Sequence, residues 1–313
     1  MSTFPNFFIV GAPKAGTTTL YRALNSHPDV YMSPRKEPHY LALTNQTFVA
    51  YNGQENPMRT IRTHPLPIHT ETAYRELFEG ADEKSIRGEA STLYLYSRHA
   101  PERIARRSPD AHIVALLRHP VDRAYSQFLH HVRDTHETTT DFVQALENEE
   151  DRLHRGPFWH YRRVGLYYEQ LKRYYEYFPG SQIRVYLLED FAENEERVWK
   201  DLLDFLKVDS AVGLPETKKT NATGLPQNPL LHRMLSLPWR FPVLREIVQR
   251  IPKTVRDVFS SIRRRNLSKP ELSADVRLHL TSRYFVDDIR ALQELIGRDL
   301  SDWLVKNTAS KNQ

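Results

Sequence analysis

The chain has 313 residues, 40% of them hydrophobic and 27% charged, with a formal net charge of +5 and no cysteine. That length and apolar content suit one large α/β domain with a buried core and exclude a disordered chain. The lack of cysteine excludes disulfides and thiolate metal sites, and no apolar run approaches the ~20 residues that a membrane-spanning helix needs. The positive balance suits an anionic cofactor or substrate as well as nucleic acid, so charge alone does not choose between them. No basic stretch followed by an apolar one stands ahead of the first strand, so a cytoplasmic protein is expected.

Phe7-Phe8-Ile9-Val10 is a short apolar run closed by Gly11, and it reads as a strand. Gly16 follows after a four-residue loop, and Thr17–Leu24 reads as the start of a helix. Strand, glycine-bounded loop and helix, with Lys14 inside the loop, predict a phosphate cradle. Backbone N–H groups and the positive helix end face the anion, Lys14 adds a full charge, and Thr17, Thr18 and Thr19 add hydroxyls. The spacing of Gly11 and Gly16 fits a Walker A loop, but Thr17 occupies the lysine position and Lys14 precedes the second glycine.

Pro28 ends that helix, and Val30-Tyr31-Met32 reads as a second strand. The loop Ser33–Tyr40, bounded by prolines and charged, is either a site loop or a solvated turn. Residues 41–86 are weakly patterned, with a helix expected over 70–78, and are expected to cross one face of the fold and contribute to substrate selection. Gly88–Tyr94 reads as the next strand end, and Glu89 stands near the point where that strand leaves the sheet. Pro101–Arg107 is a basic helix. His112–Leu117 is the clearest buried strand and ends at Arg118, at the carboxyl edge where open α/β sheets bind ligands. A helix begins at Val121. Arg118 and Ser126 can converge on one phosphate; the alternative is an arginine paired with a nearby carboxylate.

Asp141–Arg152 and Gly165–Tyr177 read as amphipathic helices. Ile183–Asp190 reads as the last strand, and its acidic end, Glu189-Asp190, imitates a Walker B site and keeps an NTPase reading open. Val198–Phe205 is helical. The polar loop Lys218–Gly224 is a flexible linker or a part of the nucleotide site. Residues 229–265 interleave basic residues with Trp239, Phe241, Ile247 and Phe259, as an amphipathic helical pair broken at Pro252. This stretch packs on the domain's own core, covers the acceptor cleft or lies on a membrane surface. Ser273–Leu295 reads as the last helix before Gly297, and Trp303 docks near the end.

The pattern Gly11-x-Pro13-Lys14-x-Gly16-Thr17-Thr18 resembles the 5′-phosphosulfate loop of sulfotransferases that use 3′-phosphoadenosine 5′-phosphosulfate (PAPS). The strand Ile113–Arg118, with Ser126 eight residues after the arginine, resembles the family's 3′-phosphate motif. Glu89–Tyr94 resembles the Glu-Lys-[Ser/Thr]-x-x-Tyr stretch of the heparan-sulfate-type branch, whose glutamate is the catalytic base. Ala90 replaces the usual lysine there, and Thr92 stands where proline is common. Lys36–Tyr40 resembles the segment after the second strand in that branch. The resemblance covers roughly residues 6–225 and 272–304, and 229–265 has no counterpart. The heparan-sulfate enzymes carry a membrane anchor and a disulfide, so this chain resembles a soluble bacterial-type member.

The resemblance implies one sulfotransferase domain over residues 1–313, with 229–272 as a helical insertion. It implies a three-layer, P-loop-like α/β fold: a central parallel sheet flanked by helices, plus a helical C-terminal region. PAPS is the implied donor, with no metal. Pro13, Lys14, Ala15, Gly16, Thr17, Thr18, Thr19, Arg118, Ser126, Lys219 and Asn221 are the implied donor contacts. Lys14 and Glu89 are the implied catalytic residues, with His39 and then His119 next in line as base. Lys36, Glu37, His39 and Ser91 are the implied acceptor contacts. The expected acceptor is a hydroxyl or amine of a glycan or glycolipid; a small-molecule or lipid alcohol, with peripheral membrane contact, stays open. No nucleic-acid partner is expected. Two other classes compete: a P-loop kinase or NTPase needing Mg²⁺ and ATP, and an inactive anion-binding module.

Overall fold

The apolar runs Phe7–Val10, Val30–Met32, Ile113–Leu117 and Ile183–Leu187 each lie in a strand of one sheet. The computed structural model describes residues 4–42, 68–81, 86–134, 136–137, 139–215, 225–228, 261–262, 266–268 and 270–305. The strands are β1 (Phe7–Gly11), β2 (Val30–Met32), β3 (Ile86–Ala90), β4 (His112–Leu117) and β5 (Ile183–Leu187). They form one five-stranded sheet in the order β2-β3-β1-β4-β5. Every pairing is parallel, with Phe8 of β1 opposite Glu89 on one side and Ile113 on the other. Helices flank this sheet. They include α1 (Thr17–Leu24), α2 (Glu71–Glu76), α3 (Leu93–Tyr96), α4 (Ala100–Arg107) and α5 (Pro120–Arg133).

This strand order decides where the site lies. The chain leaves β1 toward β2 on one side and later reaches β4 on the other, so the carboxyl end of β1 is a topological switch point. The loop after β1, the end of β3 and the residue after β4 therefore share one edge. The expected three-layer, P-loop-like α/β architecture is the observed one.

Close packing fixes that edge. A Cβ on Gly88, in the middle of β3, would come within 2.8 Å of Phe7 Cδ1 and closer still to Met32 Sδ. Gly88→Ala is therefore expected to lose about 1–3 kcal/mol of stability from overpacking, read as a lower midpoint in urea. An unchanged midpoint would mean that β2 and β3 yield more readily than a close-packed sheet should.

Several elements differ from their predicted extents. β5 stops at Leu187, and α8 (Leu188–Leu206) starts at once, so Glu189 and Asp190 lie in a first helical turn rather than at a strand end. Between α5 and β5, α6 (Phe142–Glu147) is followed by a 3₁₀ turn over Glu150–Arg155, and α7 covers Tyr167–Tyr175. The helix expected over 141–152 breaks because Glu149 turns to accept the backbone N–H groups of Arg162 and Arg163. The expected helix 273–295 is two, α9 (Ala274–Tyr284) and α10 (Val286–Ile296), joined at buried Phe285. That break lets Asp288 accept the N–H groups of Tyr167 at 2.8 Å and Tyr168 at 3.1 Å, the orphan donors at the start of α7. Gly297 closes α10 with φ 62°, and Trp303 docks as expected.

Most of the 229–272 stretch, and the loop holding Lys219 and Asn221, lie outside the described residues. The two ends of the stretch are clipped together. Leu225–Pro226 pairs antiparallel with Leu267–Ser268, and the Asn266 amide both donates to Asn228 O and accepts from Asn228 N. Among the described residues no helix is long and apolar enough to cross a membrane.

Candidate active site

The loop after β1 is held by backbone bonds: Ala12 N–H donates to Leu116 O of β4, and Ala15 N–H to Ala12 O at 3.2 Å. Gly16 caps α1 with φ 96°, a conformation that costs glycine nothing. It brings no side-chain cap to the helix, so the first-turn N–H groups of Thr17 and Thr18 remain for an anion, while Thr19 N–H donates to Gly16 O at 3.0 Å. Pro13, Lys14, Thr18 and Thr19 are half-buried around this turn, and Ala15 and Thr17 are buried.

Lys14 itself has φ 70°, one of four non-glycine residues with positive φ among the described residues; Glu37 and His39 are two others. Backbone strain of this kind gathers at sites that the surrounding structure fixes. Arg118 Nη1 donates to the backbone O of Lys14 at 3.3 Å, so the predicted lysine and arginine meet across the β1–β4 edge. Tyr167 Oη fixes the arginine's own carbonyl at 2.9 Å. Burial, then the neighbouring Arg133, push the Lys14 ammonium down to about 8, with Arg118 acting in the same direction. Ser126 is buried on α5, and among the described residues no hydrogen bond joins it to Arg118.

Glu89 is fully buried at the end of β3. Tyr74 Oη and Tyr94 Oη, the latter at 3.0 Å, donate to Oε2; Ser91 Oγ donates to Oε1 at 2.5 Å. Burial raises the carboxyl to about 7, and the three hydroxyls hold it from rising further. A carboxyl with that value is half-ionised at neutral pH, which suits a general base. Oε1 accepts only one of these bonds, which leaves it acceptor capacity for a substrate proton.

The Lys36–His39 loop is tied to the same edge. Glu37 N–H donates to Ala90 O at 2.9 Å, and His39 N–H to Ser91 Oγ at 3.1 Å. Lys36 Nζ donates to Glu37 Oε1 at 2.6 Å, and His39 Nε2 lies 3.4 Å from Glu37 Oε2. Burial opposes ionisation of Glu37, but Lys36 and His39 outweigh it and hold the carboxyl well below the usual range. The four expected acceptor contacts therefore form one network beside Glu89. His119, the lower-ranked base, is buried and held at about 4 mainly by that burial. Its Nε2 lies 3.0 Å from Trp303 O, so it pins the C-terminal turn and is not presented to the site. Asp190 is paired with Arg298 and accepts Leu187 N–H at 2.8 Å, so it serves the fold and not a metal.

Sequence reasoning missed Tyr74, which reaches Glu89 from α2, and His130, Arg133 and Asp134 at the end of α5. The i,i+4 spacing of His130 and Asp134 is the one signal in the sequence; the contact of His130 with Lys14, 116 residues away, leaves none.

The parallel sheet thus carries the glycine-capped loop, half-buried Lys14 and the caged Glu89 carboxylate on one edge, in a P-loop-like α/β fold. The model of the Sulfotransferase family matches residues 5–211, and the chain belongs to that family of enzymes. It is similar to a sulfotransferase crystal structure from Alicyclobacillus acidocaldarius, with a TM-score of 0.71 and 34% identity. That match covers 96% of this chain and 98% of the other. It is also similar to carbohydrate sulfotransferase 15 of Homo sapiens, 26% identical over 65% of this chain and 44% of that protein. Human heparan sulfate glucosamine 3-O-sulfotransferase 6 is 29% identical over 57% of this chain and 45% of that protein. The chain thus spans less than half the length of these two relatives.

Proposed function

We propose that this chain moves a sulfuryl group from PAPS to a hydroxyl of a glycan, with Glu89 as the base. The observation that carries the reading is the meeting of Lys14 and Arg118 at 3.3 Å on the edge that also holds buried Glu89. The names of the carbohydrate and heparan sulfate relatives favour a glycan over a small alcohol or a lipid.

The residues present fit such a donor. The glycine-capped helix end, Lys14 and the Thr17–Thr19 hydroxyls would hold its 5′-phosphosulfate, and Arg118 with Ser126 its 3′-phosphate. When bound, the donor supplies an activated sulfuryl group on a phosphate leaving group. Lys14 and the loop N–H groups would neutralise the negative charge that grows on its leaving oxygen. Glu89 Oε1 receives the acceptor's proton, while Tyr74 and Tyr94 hold Oε2 so that the carboxylate keeps its aim. Arg118, tied to the Lys14 carbonyl, couples the two phosphate sites. The pairing of Asp190 with Arg298 counts against a kinase or NTPase, which needs that carboxylate for Mg²⁺.

The test is thermal unfolding with 3′-phosphoadenosine 5′-phosphate (PAP), and separately with ATP and Mg²⁺. At a hundred times its dissociation constant a ligand of the folded state adds about 2.7 kcal/mol. A higher midpoint with PAP alone, abolished in Arg118→Ala, is the expected result. A higher midpoint with Mg–ATP alone would replace this reading with a phosphoryl-transfer one.

A further inference from the structure

Lys14 has a partner on the far side of the loop. Its Nζ lies 3.5 Å from Nδ1 of His130, in the last turn of α5. The same Nδ1 lies 2.9 Å from Nη2 of Arg133. An ammonium and a guanidinium can only donate, so Nδ1 must accept and the ring proton belongs on Nε2. Nε2 lies 3.3 Å from Asp134 Oδ2, so that proton faces a carboxylate. Asp134 is in turn gripped by Arg133, Nε to Oδ1 at 2.8 Å and Nη2 to Oδ2 at 3.0 Å. One tautomer of His130 therefore satisfies all of these contacts.

We propose that His130 is a positioning residue for Lys14: with its tautomer set by Asp134, it presents an acceptor that holds the ammonium in place at the donor's side of the site. The inference rests on the sulfuryl-transfer reading, because it gives Lys14 a task. The charged groups that face Lys14 explain the need. Arg133 and Arg118 repel its ammonium, and Asp134 and Glu37 attract it. Asp134 also faces His136. Burial already disfavours the charge. Without a neutral acceptor close by, the ammonium would lose its proton more readily and turn away from the two arginines. The 3.5 Å contact is longer than an ordinary hydrogen bond, so it guides the ammonium without competing strongly with an arriving anion. A histidine that merely completed the end of α5 would leave the ionisation of Lys14 unchanged.

The experiment needs no acceptor. Trace acetylation with acetic anhydride over a pH series, read by mass spectrometry, gives the titration midpoint of Lys14. Isothermal titration gives the affinity for PAP. In His130→Ala the Lys14 midpoint should fall by about one pH unit, because a hydrogen bond to the charged form is lost. His130→Asn places its side-chain oxygen where Nδ1 stood and should restore the midpoint. His130→Gln places that oxygen farther out, near the former Nε2, and should not. The Asn and Gln variants carry the test if the Ala variant fails to fold. Equal Lys14 midpoints in wild type, Asn and Gln variants would overturn the inference while PAP binding by the wild type kept the donor reading. A wild type that binds no PAP would overturn the donor reading itself, and this inference with it.

Discussion

Glu89→Gln is expected to cut turnover by about 10²–10⁴-fold, the usual worth of a general base, while PAP affinity stays within about twofold. The separation follows from the contacts. The Glu89 carboxylate is held by Tyr74, Ser91 and Tyr94, and none of these is a donor-loop residue. The base must be ionised to act, so wild-type turnover should fall as pH drops through about 7, the value that burial gives this carboxyl. Tyr94→Phe removes one donor to the charged form and should move that acid limb to higher pH. Full turnover in the glutamine variant would assign the base elsewhere, with His39 next.

The same carboxyl links stability to pH. An unfolded glutamate ionises near about 4.3, and the folded Glu89 near about 7. Its raised value means that folding takes up a proton between those limits. The favourable contribution of neutral Glu89 is thus complete below about 4.3 and is lost as pH rises through about 7. Glutamine cannot ionise, so Glu89→Gln should gain stability relative to wild type between pH 5 and pH 8. Urea unfolding at both values measures the margin, and a margin independent of pH would mean that the folded carboxyl titrates in the ordinary range.

Strand positions were legible because buried parallel strands are continuous apolar runs, and residues at their carboxyl ends fall on one edge whatever the connecting segments do. Lys14, Glu89 and Arg118 could be placed that way. Helix ends were less legible, because tertiary hydrogen bonds set them. Glu149 and Asp288 each break a helical run to satisfy backbone donors more than a turn of chain away. The cage of Glu89 drew on Tyr74, whose helix follows a stretch with no clear period. The partner of Lys14 was hidden for the same reason. His130 lies on an amphipathic helix whose spacing reports which face is buried, but not which loop it meets.

Lys14→Met is expected to lower turnover by about 10²–10³-fold, the effect of removing one preorganised donor at a developing oxyanion. It should also weaken PAP by about tenfold to a hundredfold, the worth of one charged hydrogen bond. The pH dependence of binding distinguishes this role from a packing role. In the free protein burial and the neighbouring Arg133 bring Lys14 down to about 8. A bound polyanion favours the ammonium and raises that value. Binding therefore takes up a proton above about pH 8, and affinity for PAP should fall there by up to about tenfold per pH unit until the value in the complex is reached. Below about pH 8 Lys14 is already charged and contributes no slope. Lys14→Arg keeps its charge throughout and should bind with no such slope, and Lys14→Met should be weak and equally flat. Calorimetric titrations of PAP at pH 7, 8, 9 and 10 in the three proteins measure these slopes. A wild type as flat as the methionine variant would mean that the Lys14 ammonium does not reach the donor's phosphates, and would leave Arg118 and the helix end as the anion's main support.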